Sequence, residues 1–125
     1  MPIGFDRDDA RRRVLITVHG AFEAVEILAA IERQGVEQTW SYGVLYDLRG
    51  MTGAPTMDDL RKIFSESVPK RSTESGGGPI ALLVTDSVLY GLACTYAALG
   101  RSKMTIEVFR DWDDAESWLA AHANP

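Results

Sequence analysis

The run PIALLV, at residues 79–84, is the most hydrophobic of the segments with strand character in this chain. Three consecutive glycines precede it, and Asp86 follows it. A short apolar run between turn residues is typical of a strand that is buried on both faces. Such a strand needs strands beside it and helices above and below, so the sequence predicts a central strand in a layered α/β domain.

The other segments complete this pattern. Residues 13–19 carry Val14, Ile16 and Val18 on one side, which predicts a strand with one strongly apolar face. Further strands are predicted at residues 3–6, 40–46 and 104–109, with a hairpin turn in the charged stretch DRDDARR. Helical spacing predicts helices at residues 21–34, 56–68 and 86–99 and a last helix after Asp111. Pro69 is expected to end the second helix, and residues 70–78 are expected to form a mobile loop.

The resulting order is a β-hairpin followed by α-β-α-β-α-β-α. This order predicts one α/β domain over residues 1–125, with a mostly parallel β-sheet, an N-terminal antiparallel hairpin and about four helices.

Composition excludes several partners. Thirteen Lys and Arg face eighteen Asp and Glu, for a net charge of −5, which is the opposite of the basic surface that nucleic acids require. No apolar run approaches membrane-spanning length, and the single cysteine, Cys94, excludes an internal disulfide. We therefore expect a cytoplasmic protein that binds no nucleic acid and does not insert into a membrane.

The stretch YDLRGMTGAPTMDDL, at residues 46–60, is the first candidate site, because loops that follow strands carry much of the chemistry of α/β proteins. Asp47 is expected to end the strand and either to pair with Arg49 or to accept hydrogen bonds from its own loop. Thr56 has the spacing to Asp59 of a helix capping box. The sequence predicts a contact surface, with Asp47, Arg49, Thr52 and Thr56 as candidate binding residues and no catalytic group.

Metal and catalytic sites are not predicted. The two histidines, His19 and His122, and Cys94 lie far apart and lack ligand spacing, and neighbouring acids such as Asp58 and Asp59 fall in first turns of helices. The run SGGGP leads into a strand, whereas a phosphate loop leads into a helix. Nearby cationic residues either form a modest basic rim beside this run or belong to a solvated helix end: Arg61, Lys62, Lys70 and Arg71. No cofactor is expected.

The aromatic residues suggest a second candidate site. Four of them could line an apolar pocket between a helix and the sheet: Tyr46, Phe64, Tyr90 and Tyr96. Alternatively, these aromatic residues fill the hydrophobic core and leave no pocket.

The helix at residues 86–99 is apolar on nearly all sides. Val88, Leu92, Tyr96 and Leu99 form a stripe that is expected to pack on the sheet. The remaining sides hold a candidate dimer face, which consists of Tyr90, Gly91, Cys94 and Ala98. Either a second copy of the chain or a neighbouring helix of the same chain can cover this face.

The segments VLYDLRGMTG, IALLVTDSVLYGLACTYAAL and IEVFRDWDDAESWL resemble the SpoIIAA-like group of the STAS superfamily, which includes anti-sigma factor antagonists. The resemblance implies a SpoIIAA-like fold and a non-enzymatic role in binding other proteins. Those antagonists carry a phosphorylated serine in the loop after the strand that matches residues 43–46. The loop here, RGMTGAPTMDDL, has no serine, so the phosphorylation switch does not carry over.

The same group is also compared with CRAL-TRIO lipid-transfer domains. We therefore expect a non-enzymatic, STAS-like interaction or regulatory domain with an unknown protein partner or a second copy of itself. The alternative is a carrier that holds an apolar small molecule or lipid in the aromatic pocket.

Overall fold

The computed structural model describes residues 3–122. Strands and helices alternate in chain order. They are β1 Ile3–Asp8, β2 Arg13–Ala21, α1 Ala24–Val36, β3 Gly43–Thr52, α2 Met57–Arg71, β4 Ile80–Leu83, α3 Ser87–Gly100, β5 Ile106–Phe109 and α4 Trp112–Ala121. A short 3-10 turn, Thr73–Ser75, lies between α2 and β4.

The five strands form one sheet in the order β1-β2-β3-β4-β5. β1 pairs with β2 in an antiparallel hairpin, and each of the other neighbouring pairs is parallel. The predicted fold class is thereby confirmed. β4 lies between β3 and β5, and all four of its residues are buried, so it is an interior strand as its sequence predicts. The middle position of the sheet belongs to β3.

Alternation along the strands divides the core into two layers. One set of strand residues packs on the side of α1, α2 and α3 and includes Val14, Ile16, Val44, Ile80 and Leu82. The opposite set, Leu45, Ala81 and Leu83, packs against Ala115 and Leu119 of α4. Burial of a side chain such as Leu83 contributes about 1.5–3 kcal/mol. The sheet is therefore covered on both faces, which is what an uncharged strand such as β4 requires.

The third strand is longer than its sequence suggests. The predicted end at Tyr46 is wrong, because β3 continues to Thr52 and stays paired with the end of β2. The pairing shifts between Thr17–Asp47 and His19–Gly50, so two steps along β2 match three steps along β3. This bulge inserts one extra residue near Leu48 and Arg49. A polar stretch thus remains in the sheet because its backbone is paired.

The end of α2 also departs from expectation. Pro69 does not end the helix, which continues to Arg71 and closes with a hydrogen bond from the Ser72 amide to the Val68 carbonyl (3.0 Å). The predicted mobile loop is instead tied down: its Thr73 amide donates to the Lys103 carbonyl at 2.9 Å. The last turn persists because the Arg71 side chain is buried, as described below.

The helix α3 presents only part of the predicted stripe to the interior: Tyr96 is buried and Leu92 is half-buried. Val88 and Leu99, which were expected to pack inward, are 67% and 56% exposed. The buried positions are Leu89, Ala93, Tyr96, Ala97 and Gly100. The inward stripe thus combines the large residues Leu89 and Tyr96 with small ones, and Val88 and Leu99 lie on the exposed side of the helix.

The predicted starts of α2, α3 and α4 are confirmed, whereas α1 begins at Ala24 and not at residue 21. The Thr56 Oγ1 accepts a hydrogen bond from the Asp59 amide at 3.1 Å, and the Asp59 carboxylate accepts one from the Thr56 amide at 2.9 Å. Asp86 caps α3 and Asp111 caps α4 in the same way, each through its side chain. These acids therefore satisfy backbone amides that have no partner within the helix.

We predict that Thr56→Ala lowers the free energy of unfolding by about 0.5–2 kcal/mol, because it removes the oxygen that caps α2. Urea unfolding measures the difference. Thr56→Ser keeps the oxygen and serves as the control, with a loss well below that of the alanine variant. Equal losses in the two variants would show that the methyl group, and not the cap, stabilises this position.

Candidate functional site

A cavity of about 100 Å³ lies between the sheet and the helices α1, α2 and α3. Its wall is almost entirely apolar. The lining residues are Phe22, Ile27, Tyr46, Leu48, Met51, Pro55, Leu60, Ile63, Ser67, Arg71, Ile80, Leu82, Leu89, Leu92, Ala93 and Tyr96. Phe22, Leu48, Pro55 and Leu92 are partly exposed and form the outer part of the cavity. The polar groups of Ser67 and Arg71 are buried and lie at the end of α2.

Arg71 is the most unusual residue of this cavity, because it carries a charge and is only 1% exposed. One terminal nitrogen, Nη1, donates a hydrogen bond to Gln34 Oε1 at 2.8 Å. The other, Nη2, donates to the Tyr42 carbonyl at 2.8 Å and to the Gly78 carbonyl at 3.1 Å. The buried guanidinium thus keeps one nitrogen, Nε, without a hydrogen bond.

The glycine run before β4 makes room for this arginine. A Cβ on Gly77 would stand 2.1 Å from the Arg71 carbonyl oxygen, and a Cβ on Gly78 would stand 2.3 Å from the Tyr42 carbonyl oxygen. Neither backbone could approach so closely with a side chain present. The run SGGGP therefore closes the chain over the buried guanidinium, and both the expected basic rim and the solvated helix end are wrong for Arg71.

Burial changes the ionisation of the polar groups around the cavity. It lowers the pKa of Arg71 to about 10, which still leaves the guanidinium charged at neutral pH. Burial also raises the pKa of Tyr46, against smaller effects of the Arg71 charge and of the Gln34 side chain, which donates to the Tyr46 hydroxyl at 3.3 Å. Tyr46 and Gln34 are therefore both neutral at neutral pH and supply no negative charge to the Arg71 guanidinium.

The predicted pocket residues are only partly brought together. Tyr46 and Tyr96 line the cavity. Phe64 packs edge-on against Tyr96, with ring centroids 6.0 Å apart, but is not itself part of the wall. Tyr90 lies elsewhere, under the Arg110 guanidinium at 4.7 Å. The aromatic residues of the sequence thus indicated where the cavity lies, but its wall is mainly aliphatic and not aromatic.

Sequence reasoning missed several cavity residues. Leu48 and Met51 were counted in a polar loop, but the longer β3 carries them into the wall. Arg71 was missed because Pro69 was expected to end α2. The spacing of Leu60, Ser67 and Arg71 at helical intervals was the signal that could have found it, since it continues the buried face of α2 to the last turn.

The residues of the predicted contact surface lie in two elements: Asp47, Arg49 and Thr52 belong to the second half of β3, and Thr56 is the N-cap of α2. Asp47 lies within β3 with a side chain only 13% exposed, which corrects its predicted place at the end of the strand. Arg49 donates to both of its carboxylate oxygens, at 2.9 and 3.0 Å, and this hydrogen bonding holds the pKa of Asp47 below its ordinary value. The Arg49 guanidinium also lies 5.5 Å from the Trp112 ring centroid. The pairing with Arg49 is confirmed.

The outer face of α3, which we define by Val88, Gly91, Thr95, Ala98 and Leu99, is exposed along its whole length. The helix contains no Asp, Glu, Lys or Arg in its 14 residues. Of the predicted dimer face, Gly91 and Ala98 belong to this outer face, whereas Tyr90 and Cys94 are half-buried beside it. A Cβ on Gly91 would meet open space.

Comparison with solved structures identifies the fold. An uncharacterised protein from Shewanella loihica PV-4, described as having a SpoIIAA-like fold, superposes with a TM-score of 0.59 at 13% identity, over 94% of this chain and 91% of that chain. An anti-sigma factor antagonist from Mycobacterium paratuberculosis superposes with a TM-score of 0.61 at 16% identity, over 94% and 93% of the two chains.

This chain has a SpoIIAA-like fold. The resemblance seen in the sequence is thereby confirmed, and at these identities it is a likeness of fold alone. No protein-family model and no curated protein sequence matches the chain.

In this SpoIIAA-like domain, the two threonines near the predicted contact surface have different surroundings. Thr52 is exposed at the end of β3, where it pairs with Ala21 of β2. The Thr56 hydroxyl is engaged in the cap of α2. Among residues 3–122, no group of three or more His, Cys, Asp or Glu is arranged to hold a metal ion, and no helix has the length and apolarity to cross a membrane.

We predict that the wild type loses stability relative to the Tyr96→Phe variant as pH rises from about 10 to 12. The free energy of unfolding of the wild type should fall by about 1–2 kcal/mol more than that of the variant over this range. Burial raises the pKa of Tyr96 to about 12, so this hydroxyl ionises first in the unfolded chain and the wild type loses stability over that range. Urea unfolding at several pH values measures the change.

The neighbouring Phe64→Leu variant is the control, because it changes the same cluster without removing an ionisable group. Its difference from the wild type should stay nearly constant between the same pH values. A Tyr96→Phe difference that does not change with pH would show that the Tyr96 hydroxyl reaches solvent.

Proposed function

We propose that this chain is a non-enzymatic protein-interaction domain that binds through the outer face of α3. The observation that carries the proposal is an exposed helix face with no charge, on which Val88 and Leu99 are 67% and 56% exposed. A solvated helix normally carries charged residues on its outer side, and an exposed apolar face commonly marks an interaction site. The solved structure of an anti-sigma factor antagonist with the same fold supports this role.

The acidic side chains support a non-enzymatic role. Asp47 is neutralised by Arg49, and Asp59, Asp86 and Asp111 accept hydrogen bonds from helix amides. Acids held in this way stabilise the fold and are not poised to exchange protons with a substrate.

A second copy of the chain is the partner that we propose for this face. Two uncharged helices can pair about a two-fold axis without like charges coming together. Gly91 and Ala98 carry little or no side chain, so the two backbones can approach closely. Val88 and Leu99 then bury their exposed apolar surface against the partner. A cytoplasmic location fits this role and is part of the same proposal.

A carrier function is the second candidate, and the cavity supports it. Its volume of about 100 Å³ is well below the roughly 300–1,000 Å³ of typical ligand pockets, so it matches a small molecule rather than a lipid.

Light scattering at tens of micromolar protein tests the interaction through a matched pair of variants. Val88 and Val25 are each the second residue of a helix, in α3 and α1, and they are 67% and 70% exposed. A glutamate at either place favours its own helix start to the same degree. We expect a dimer for the wild type and for Val25→Glu, and a monomer for Val88→Glu.

A wild type that stays monomeric at these concentrations would exclude the dimer. Equal behaviour of the two glutamate variants would show that α3 is not the contact. Ala98→Glu with Ala29→Glu as its control repeats the comparison at a second pair of exposed helix positions.

A further inference from the structure

The Nε donor of Arg71 has no hydrogen-bond partner among the protein groups that the structure describes. Among residues 3–122, Arg71 Nε is the one fully buried side-chain nitrogen or oxygen that makes no hydrogen bond. Buried polar groups are nearly always hydrogen-bonded, because an unsatisfied one costs free energy. Arg71 also lines the cavity. The structure thus joins an unsatisfied donor to an enclosed space.

The structural role of Arg71 accounts for its terminal nitrogens but not for its charge. Gln34 Oε1 and the carbonyls of Tyr42 and Gly78, its three acceptors, are all neutral. No Asp or Glu within the described part of the chain pairs with it, although nine ion pairs form elsewhere on the surface and edges of the domain. Tyr46, whose pKa is raised by burial, supplies no negative charge at neutral pH. A buried cation without a counter-charge favours an anion beside it.

The apolar wall of the cavity determines which group such an anion can carry beside its charge. Leu60, Leu82, Leu89 and Ala93 present only carbon atoms to the space, so they favour a hydrocarbon group. The volume of about 100 Å³ is somewhat smaller than an apolar cavity of about 150 Å³ that holds benzene. Small aromatic or short aliphatic groups are therefore the right size, with slight widening at the partly exposed outer residues.

We propose that the cavity binds a small monocarboxylate with an apolar body, and that Arg71 Nε donates a hydrogen bond to the carboxylate. The hydrocarbon part lies among the aliphatic residues of α2, α3 and β4, and the guanidinium supplies the counter-charge. This proposal does not depend on the α3 interaction: the ligand site lies on the inner side of α3, and a monomeric protein can hold it.

Side-chain NMR of arginine tests the contact in the wild-type protein. The Nε–H signal of Arg71, assigned from the contact of its guanidinium with the Gln34 side chain, is followed during titration with hexanoate and with benzoate. We expect a saturable shift of this signal with at least one of the two acids. An Arg71 signal that stays in place when either acid is at saturating concentration would overturn the proposal.

Matched ligands test the role of the charge. Hexanol and benzyl alcohol have the same hydrocarbon bodies as the acids but no negative charge. We expect each acid that binds to do so at least tenfold more tightly than its alcohol, because hydrogen bonds to charged groups are stronger than neutral ones. Equal affinity of acid and alcohol would show an apolar cavity in which Arg71 takes no part.

A cavity-filling variant tests the location. Ala93→Leu places three more carbon atoms inside the cavity, and Ala29→Leu makes the same change on the exposed side of α1. We expect Ala93→Leu to weaken hexanoate binding at least tenfold and Ala29→Leu to leave it unchanged. Unchanged binding in a folded Ala93→Leu protein would place the acid elsewhere. If the Ala93→Leu variant does not fold, the titration of the Arg71 Nε–H signal in the wild-type protein decides whether the acid binds at this cavity.

Discussion

The buried guanidinium of Arg71 is the interaction on which the arrangement of this domain depends. Its hydrogen bonds connect the last turn of α2 to α1 through Gln34, to the start of β3 through the Tyr42 carbonyl, and to the start of β4 through the Gly78 carbonyl. Burial of a charge is costly unless its hydrogen-bond partners are in place, so these segments must come together for any of them to be stable. The glycines before β4 and the helical turn beyond Pro69 both follow from this requirement.

The sequence predicted the architecture because that information is local and repeated. Alternation in β2, the uncharged run of β4 and the caps at Thr56, Asp86 and Asp111 each act within a few residues, and together they gave the order of elements and the mostly parallel sheet. The resemblance to the SpoIIAA-like group was right for the same reason. Each of its motifs covers a strand with the helix or turn that follows it.

The candidate site was harder to predict because it depends on contacts between distant segments. The bulge in β3 depends on the end of β2, which lies about 30 residues earlier, and it moved Leu48 and Met51 from an expected loop into the cavity wall. Arg71 is separated from Gln34 by 37 residues. The helical periodicity of α3 was right for Tyr96 but wrong for Val88 and Leu99, because the small residues Ala93 and Ala97 are also buried and the inward face is turned toward them.

The helix α3 links the two functional proposals in one element. Its inner residues Leu89, Ala93 and Tyr96 form part of the cavity wall, and its outer residues Val88 and Leu99 form the exposed apolar face. A ligand in the cavity and a partner on the surface would therefore contact opposite sides of the same helix.

The most direct test of this account is a crystal structure at a resolution that separates the atoms of the Arg71 guanidinium. The account predicts a buried side chain whose terminal nitrogens donate to Gln34 Oε1 and to the carbonyls of Tyr42 and Gly78, with no acidic side chain of the protein beside Nε. A guanidinium turned toward solvent, or paired with an Asp or Glu of the chain, would contradict it.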